Sequence, residues 1–241
     1  MAARLFVDLP AGTLAAGSEL ELPPEAAHHA LRVLRMREGD ALTLFDGSGG
    51  EWGAEIASAG RKGATVRVGA HDGIERESPL AVRLALATLA TDAMDYAVRK
   101  AVELGAAAIE PVVSARSQGG ARSGRADHWR RIVIAACEQC GRNRVPVVAT
   151  PRPLDDWLAE REAAHNGVVL VPGAGNALPA FRDTGAIDVL VGPEGGFESR
   201  EVEAAIRAGM RPVGMGPRIL KAETACVAAL AVLQAAGGDL R

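Results

Sequence analysis

Aromatic residues make up only 3% of this 241-residue chain: one Tyr, three Trp and four Phe. An aliphatic core is therefore expected, and few rings are on hand to stack nucleobases. Lysine occurs only at Lys62, Lys100 and Lys221, so nearly all positive charge is guanidinium. The formal net charge of −3 excludes a globally basic nucleic-acid binder, though not a local basic patch. Three cysteines give no disulfide framework and suit a reducing compartment. Cys137 and Cys140 form a single C-x-x-C, but no second ligand pair follows at zinc spacing, so no metal site is expected. No run approaches the roughly 18–20 apolar residues that a membrane span needs, and Met1–Val7 reads as a strand rather than a signal peptide. The expectation is a soluble, cytoplasmic protein without a membrane partner. What is present is 48% hydrophobic residues, enough for a sizeable core in one large or two smaller domains.

Charge is unevenly spread. Residues 1–82 carry 8 basic and 12 acidic side chains, residues 83–152 carry 11 and 6, and residues 153–241 carry 8 and 12. Within the basic middle, Arg116, Arg122, Arg125, Arg130, Arg131, Arg142, Arg144 and Arg152 face only Asp127 and Glu138. Such a cluster suits phosphate neutralisation, and equally a solvated helix face. Short β-type runs at Leu5–Val7, Glu19–Leu22, Ala41–Phe45, Trp52–Ile56 and Ala64–Val68 suggest a small β-barrel over residues 1–72. A helix from Pro23-Pro24 interrupts them and places His28, His29, Arg32 and Arg35 on or beside one face. The polar run His71–Pro79 reads as a linker. From residue 78 to 241, apolar strands alternate with helices, the mark of an α/β domain with a mostly parallel sheet. The last helix, near Glu223–Ala236, is apolar nearly all round, as for one buried in a core or against a second subunit.

Chemistry in such a sheet sits beyond the carboxyl ends of its strands. Three strands end there in glycine-rich loops: Val171-Pro172-Gly173, Gly192-Pro193-Glu194-Gly195-Gly196-Phe197, and Gly214-Met215-Gly216-Pro217-Arg218-Ile219-Leu220. None is a G-x-G-x-x-G or Walker A loop, which disfavours ordinary nucleotide phosphate binding. G-x-S-x-G and H-E-x-x-H are also missing, and all five histidines lie outside these loops. The loops suit an adenosine-sized pocket of backbone amides and carbonyls, in a site that positions a group-donating cofactor.

These residues resemble the RsmE family of 16S ribosomal RNA (uracil-N3)-methyltransferases, in the SPOUT superfamily. The matching pieces include His29-x-x-Arg32-Val33-Leu34-Arg35, Phe45-Asp46-Gly47, Lys100-Ala101-Val102-Glu103-Leu104-Gly105 and Arg116-Ser117. They continue through Glu138-Gln139-Cys140-Gly141-Arg142, the Val191–Phe197 loop, and Arg218-Ile219-Leu220-Lys221-Ala222-Glu223-Thr224-Ala225. The resemblance implies a PUA-like RNA-binding barrel followed by a parallel-sheet domain tied in a deep trefoil knot. It implies S-adenosylmethionine held by Leu170, Val171, Pro172, Gly173, Gly192, Pro193, Glu194, Gly195, Gly214, Met215, Gly216, Arg218, Ile219, Leu220 and Thr224. It also implies a homodimer acting on 16S rRNA of the small ribosomal subunit, with His29, Arg32, Arg35, Lys100 and Arg116 on the RNA.

Uracil N3 is protonated at neutral pH and needs a base or a stabilising cation. Arg142 and Glu194 are the catalytic candidates. A SPOUT ribose 2′-O-methyltransferase, a non-catalytic assembly factor and, more remotely, a nucleotide-dependent oxidoreductase or a thiol-redox protein stay open on the residues alone.

Overall fold

The computed structural model describes residues 3–10, 12–60, 63–118, 125–161, 166–178 and 185–240; Lys62, Arg122, His165 and the 119–124 part of the Gly/Ser loop lie outside them. The chain divides into two compact units, residues 1–77 with 137–145, and residues 78–136 with 146–241.

In the first unit, β1 (Ala3–Phe6), β2 (Glu19–Glu21), β3 (Ala41–Phe45), β4 (Glu51–Ala59) and β5 (Ala64–Asp72) form one sheet in the order β1-β3-β4-β5-β2. Only the β1–β3 pair is parallel. Alternation buries Leu42 and Leu44 from β3 and Val66 and Val68 from β5. Leu5, Leu22 and Ile56 join them in an aliphatic core. Helix α1 (Pro24–His28) starts with proline where an amide donor would have no partner anyway, then continues as a π-helical turn, His29–Val33. Arg35 follows at φ 57°, the one described non-glycine residue with positive φ.

The expected His71–Pro79 linker is an exposed strap held by polar partners. β5 extends to Asp72, and each of residues 74–77 has a partner in the same unit. Asn143 Nδ2 donates to the Ile74 carbonyl at 2.8 Å, and Arg144 pairs with Glu75 at 3.2 Å. Arg76 donates to Glu51 and to the Gly141 carbonyl, both at 2.9 Å, and Arg142 pairs with Glu77. The segment stays largely exposed, as its polar composition suggests, but partners from residues 141–144 tie residues 74–77 down where a free linker was expected.

In the second unit the sheet order is β12-β10-β11-β6-β7-β8, all pairs parallel, with β9 also on β7. The strands are β6 (Ala81–Ala87), β7 (Ala106–Val113), β8 (Val147–Val148), β9 (Arg152–Pro153), β10 (Asn166–Leu170), β11 (Ala186–Val191) and β12 (Arg211–Val213). Central β11 is buried on both faces, as in sheets covered by crossover helices. The helices are α2 (Thr91–Glu103), α3 (Arg125–Cys140), α4 (Leu154–Glu160), α5 (Ser199–Arg207) and α6 (Ala222–Gly237). Met94, Ala97, Val98, Ala101 and Val102 make the buried stripe of α2, which packs on α6, and Gly105 ends that helix at φ 73°. Gln234, fully buried on α6, accepts from Ser78 Oγ at 2.6 Å. Among the described residues no helix is long and apolar enough to cross a membrane.

Candidate cofactor pocket and nucleic-acid interface

The three glycine-rich loops leave the carboxyl ends of β10, β11 and β12, neighbours in the sheet. Together they enclose a cavity of about 420 Å³. Leu170, Val171 and Pro172 line it from the first loop; Gly192, Pro193, Glu194 and Gly195 from the second; Met215, Gly216, Arg218, Ile219 and Leu220 from the third. Its volume and largely apolar wall, with backbone amides and a few charged groups at the rim, suit a ligand of nucleoside size.

Three of the expected cofactor residues do not line this cavity. Gly173 supplies a turn, with φ 78° and the Ala174 amide donating to the Val171 carbonyl. Gly214 is a packing glycine: its N–H donates to the Asn176 carbonyl at 2.8 Å, and an added Cβ would lie 2.5 Å from the Ala174 carbonyl oxygen. Thr224 sits in the first turn of α6, whose Ala222 and Ala225 face the cavity instead. Val191, Gly196 and Phe197, from the same strand end and loop, also line it, as does Val202 on α5, which no sequence signal marks. Phe197 packs over Gly192, where an added Cβ would stand 3.1 Å from its ring.

The second loop is held from outside. Glu194 is exposed, and its Oε1 accepts from the Ala90 amide at 3.1 Å. Glu201, buried on α5, accepts from the Ala115 amide at 2.7 Å and the Glu198 amide at 2.8 Å, the second bond being half of a capping box. Arg116 Nη1 donates to the Gly195 carbonyl at 2.9 Å.

The remaining candidates are more dispersed. Arg142 is buried in the first unit, its guanidinium bonded to both carboxylate oxygens of Glu77. Lys100 is held by Glu103 at 2.7 Å, three residues on along α2. His29 lies 3.5 Å from Glu138, whose carboxyl is pushed up by burial, against the Phe6 amide and the His29 and Arg4 charges, which lower it. Arg32 and Arg35 are exposed, and Arg32 with His28 lines a second cavity of about 560 Å³ walled by Leu9, Pro23, Pro24 and Leu31. Burial drives the Cys137 and Cys226 thiols up to about 12, which keeps both protonated.

A parallel α/β unit with a nucleoside-sized pocket at its strand ends, following a small mainly antiparallel β unit, fits the class of enzymes that hold a nucleoside-type cofactor. Family models sharpen this: an RNA methyltransferase domain matches residues 76–234, and an RNA methyltransferase PUA domain matches residues 22–69. The ribosomal RNA small subunit methyltransferase E of Buchnera aphidicola (Schizaphis graminum strain) is 31% identical over 228 residues, covering 92% of each chain. That of Synechocystis is 33% identical over 215 residues, covering 86% of this chain and 70% of the relative. Among solved structures, ribosomal RNA small subunit methyltransferase E from Neisseria gonorrhoeae bound to S-adenosyl methionine has a TM-score of 0.93 at 35% identity, covering 100% of both chains. A methyltransferase from Legionella pneumophila in complex with S-adenosyl methionine has a TM-score of 0.92 at 38% identity, again covering 100% of both. The chain belongs to the ribosomal RNA small subunit methyltransferase E family.

Proposed function

We propose that this protein methylates N3 of a uridine in 16S rRNA, with S-adenosylmethionine as methyl donor. The observation that carries the reading is the 420 Å³ cavity made by three strand-end loops, in a chain 35% identical to a relative solved with that cofactor. The residues present fit the group. Leu170, Val191, Phe197, Ile219 and Leu220 offer apolar wall for an adenine and a thioether chain, and the glycine-rich backbone offers amides and carbonyls at close approach. Arg218 at the wall suits the carboxylate end of an amino acid. When bound, S-adenosylmethionine supplies a methyl group activated by its sulfonium charge.

What the chain itself must do is orient the uracil and remove the N3 proton. Glu194 is assigned that proton: Ala90 fixes one carboxylate oxygen, and the other has no partner among the described residues. Arg142 is assigned a holding role, in place of the charge-stabilising role expected from sequence, because Glu77 already neutralises its guanidinium. His29, Arg32 and Arg35 in residues 1–72, with Arg116 in residues 78–241, are assigned to RNA. The parallel order β12-β10-β11-β6 is compatible with the family's trefoil knot, and the apolar α6 with a homodimer face; a cytoplasmic location follows from an rRNA substrate.

The test is methyl transfer from labelled S-adenosylmethionine to small ribosomal subunits lacking the modification, followed by nucleoside analysis. N3-methyluridine is expected. Label in a ribose 2′-hydroxyl would replace this reading with the sister chemistry, and an absence of cofactor binding would replace it with an assembly factor.

A further inference from the structure

The turn after β7 is fixed on both sides of Arg116. Ser114 N–H donates to Ser117 Oγ at 2.9 Å, and Ser117 N–H donates back to the Ser114 carbonyl at 3.1 Å. Ala115 N–H donates to buried Glu201 at 2.7 Å, and Gln118 N–H to the Thr88 carbonyl at 2.9 Å. From this seat the Arg116 side chain crosses to the cofactor loop. Its Nη1 holds the Gly195 carbonyl at 2.9 Å, and its stem lies so close that an added Cβ on Gly195 would stand 3.3 Å from Cδ. Only a distant Glu198 oxygen, 4.0 Å from Nε, faces the rest of the guanidinium. Nη2 has no partner among the described residues, and the side chain is 54% exposed.

A guanidinium presents five donors in a planar fork, so it can hold a carbonyl with one edge and a phosphate with another. We propose that Arg116 is a positioning residue that couples two ligands: its inner nitrogen sets the cofactor loop through Gly195, and its outer edge takes a phosphate of the RNA. Whichever ligand arrives first orders the side chain and the loop, and the second finds them ordered. That is positive cooperativity, and it is reciprocal. This inference rests on the reading that the cavity binds S-adenosylmethionine.

The experiment is equilibrium dialysis of labelled S-adenosylhomocysteine, the unreactive product, with and without modification-deficient small subunits. In the unaltered protein, subunits should tighten cofactor binding by about 5–10-fold, within the usual range of coupling between sites. Arg116→Ala should weaken cofactor binding without RNA by about the same factor and reduce the coupling to less than about twofold. Arg116→Lys keeps the charge but replaces the planar two-edged fork with one point-like ammonium, which cannot hold the carbonyl on one edge and a phosphate on another. It should bind cofactor better than Arg116→Ala and still lack the coupling. Melting curves without ligand check that each variant is folded; if Arg116→Ala fails that check, Arg116→Lys decides alone. Failure of the unaltered protein to bind S-adenosylhomocysteine would remove the cavity reading itself. Binding with no tightening by subunits, unchanged cofactor affinity in Arg116→Ala, or undiminished coupling in Arg116→Lys would overturn the inference and leave the cavity reading standing.

Discussion

Replacing Glu201 should loosen the second unit where its cofactor loop is anchored. The buried carboxylate accepts from two amides on different segments, Ala115 after β7 at 2.7 Å and Glu198 at the start of α5 at 2.8 Å. A hydrogen bond to a charged group contributes about 1.5–3 kcal/mol, and a buried amide left without an acceptor costs about 1–3. The Glu198 amide stands at a helix start, where water can replace the lost acceptor, so Glu201→Ala should cost about 2–4 kcal/mol rather than the full sum. For a domain of roughly 150–250 residues that is a drop in melting temperature of about 5–15 °C. Glu201→Gln keeps one oxygen acceptor and turns an N–H toward the other amide, so it should fall between, near about 1–2 kcal/mol. Urea unfolding followed by circular dichroism gives both values. A Glu201→Ala protein within about 0.5 kcal/mol of the parent, or equal losses for Ala and Gln, would refute the two-amide account.

Gly214→Ala should destabilise by about 1–3 kcal/mol and weaken cofactor binding, because its Cβ would lie 2.5 Å from the Ala174 carbonyl oxygen and the backbone must shift; an undisturbed melt would contradict this. Burial raises the Glu51 carboxyl, but hydrogen bonds and charge from Arg76 and Arg4 outweigh it and bring it down to about 2. Because this folded value lies below the ordinary one near 4.5, the stability Glu51 contributes is complete above that pH and lost as pH falls toward 2. Acid titration of Glu51→Gln should therefore lack that part of the stability loss between pH 4.5 and 2, and an identical acid profile would count against the pair. Of the three thiols, Cys137 and Cys226 are buried and held near 12, so a thiol reagent at pH 8 should modify at most Cys140 in the folded protein. Rapid modification of two would revive a redox role for the C-x-x-C.

The pocket was legible because its construction is local. A parallel strand ending in glycines carries its meaning within six or seven residues, and the three loops read that way close on one cavity, lined by twelve of the fifteen residues that the resemblance implied. The three that do not line it are a turn former, a packing glycine and a residue on the far side of a helix turn, distinctions that depend on what stands opposite. The sheet order was less legible, since the β10–β11–β6 pairing places strands from both halves of the domain side by side. β9 and α4 went unread because two and seven residues carry no usable period, although Trp157 and Leu154 are core residues.

Arg142 shows the limit most plainly. By sequence it is a candidate for the target nucleotide's phosphate or the developing charge, while its place after a helix-ending glycine equally suits a simple helix-end charge, and from sequence alone nothing distinguishes the two. The partner that favours a holding role, Glu77, is 65 residues earlier, in a stretch whose polarity read as linker. Glu75, Arg76 and Glu77 meet Arg144, Gly141 and Arg142 in turn, so the apparent excess of arginine after residue 140 is balanced by acids from another part of the chain. Counting charge by sequence window therefore overstated the basic patch here, and charges pair across distance elsewhere too, as Arg83 and Arg152 do with Glu110. Arg116 differs because the partner of its inner nitrogen is a neutral carbonyl. A carbonyl orients a guanidinium without cancelling its charge, and with Glu198 no nearer than 4.0 Å Arg116 keeps more of its charge than Arg142, which is what the proposed phosphate contact requires.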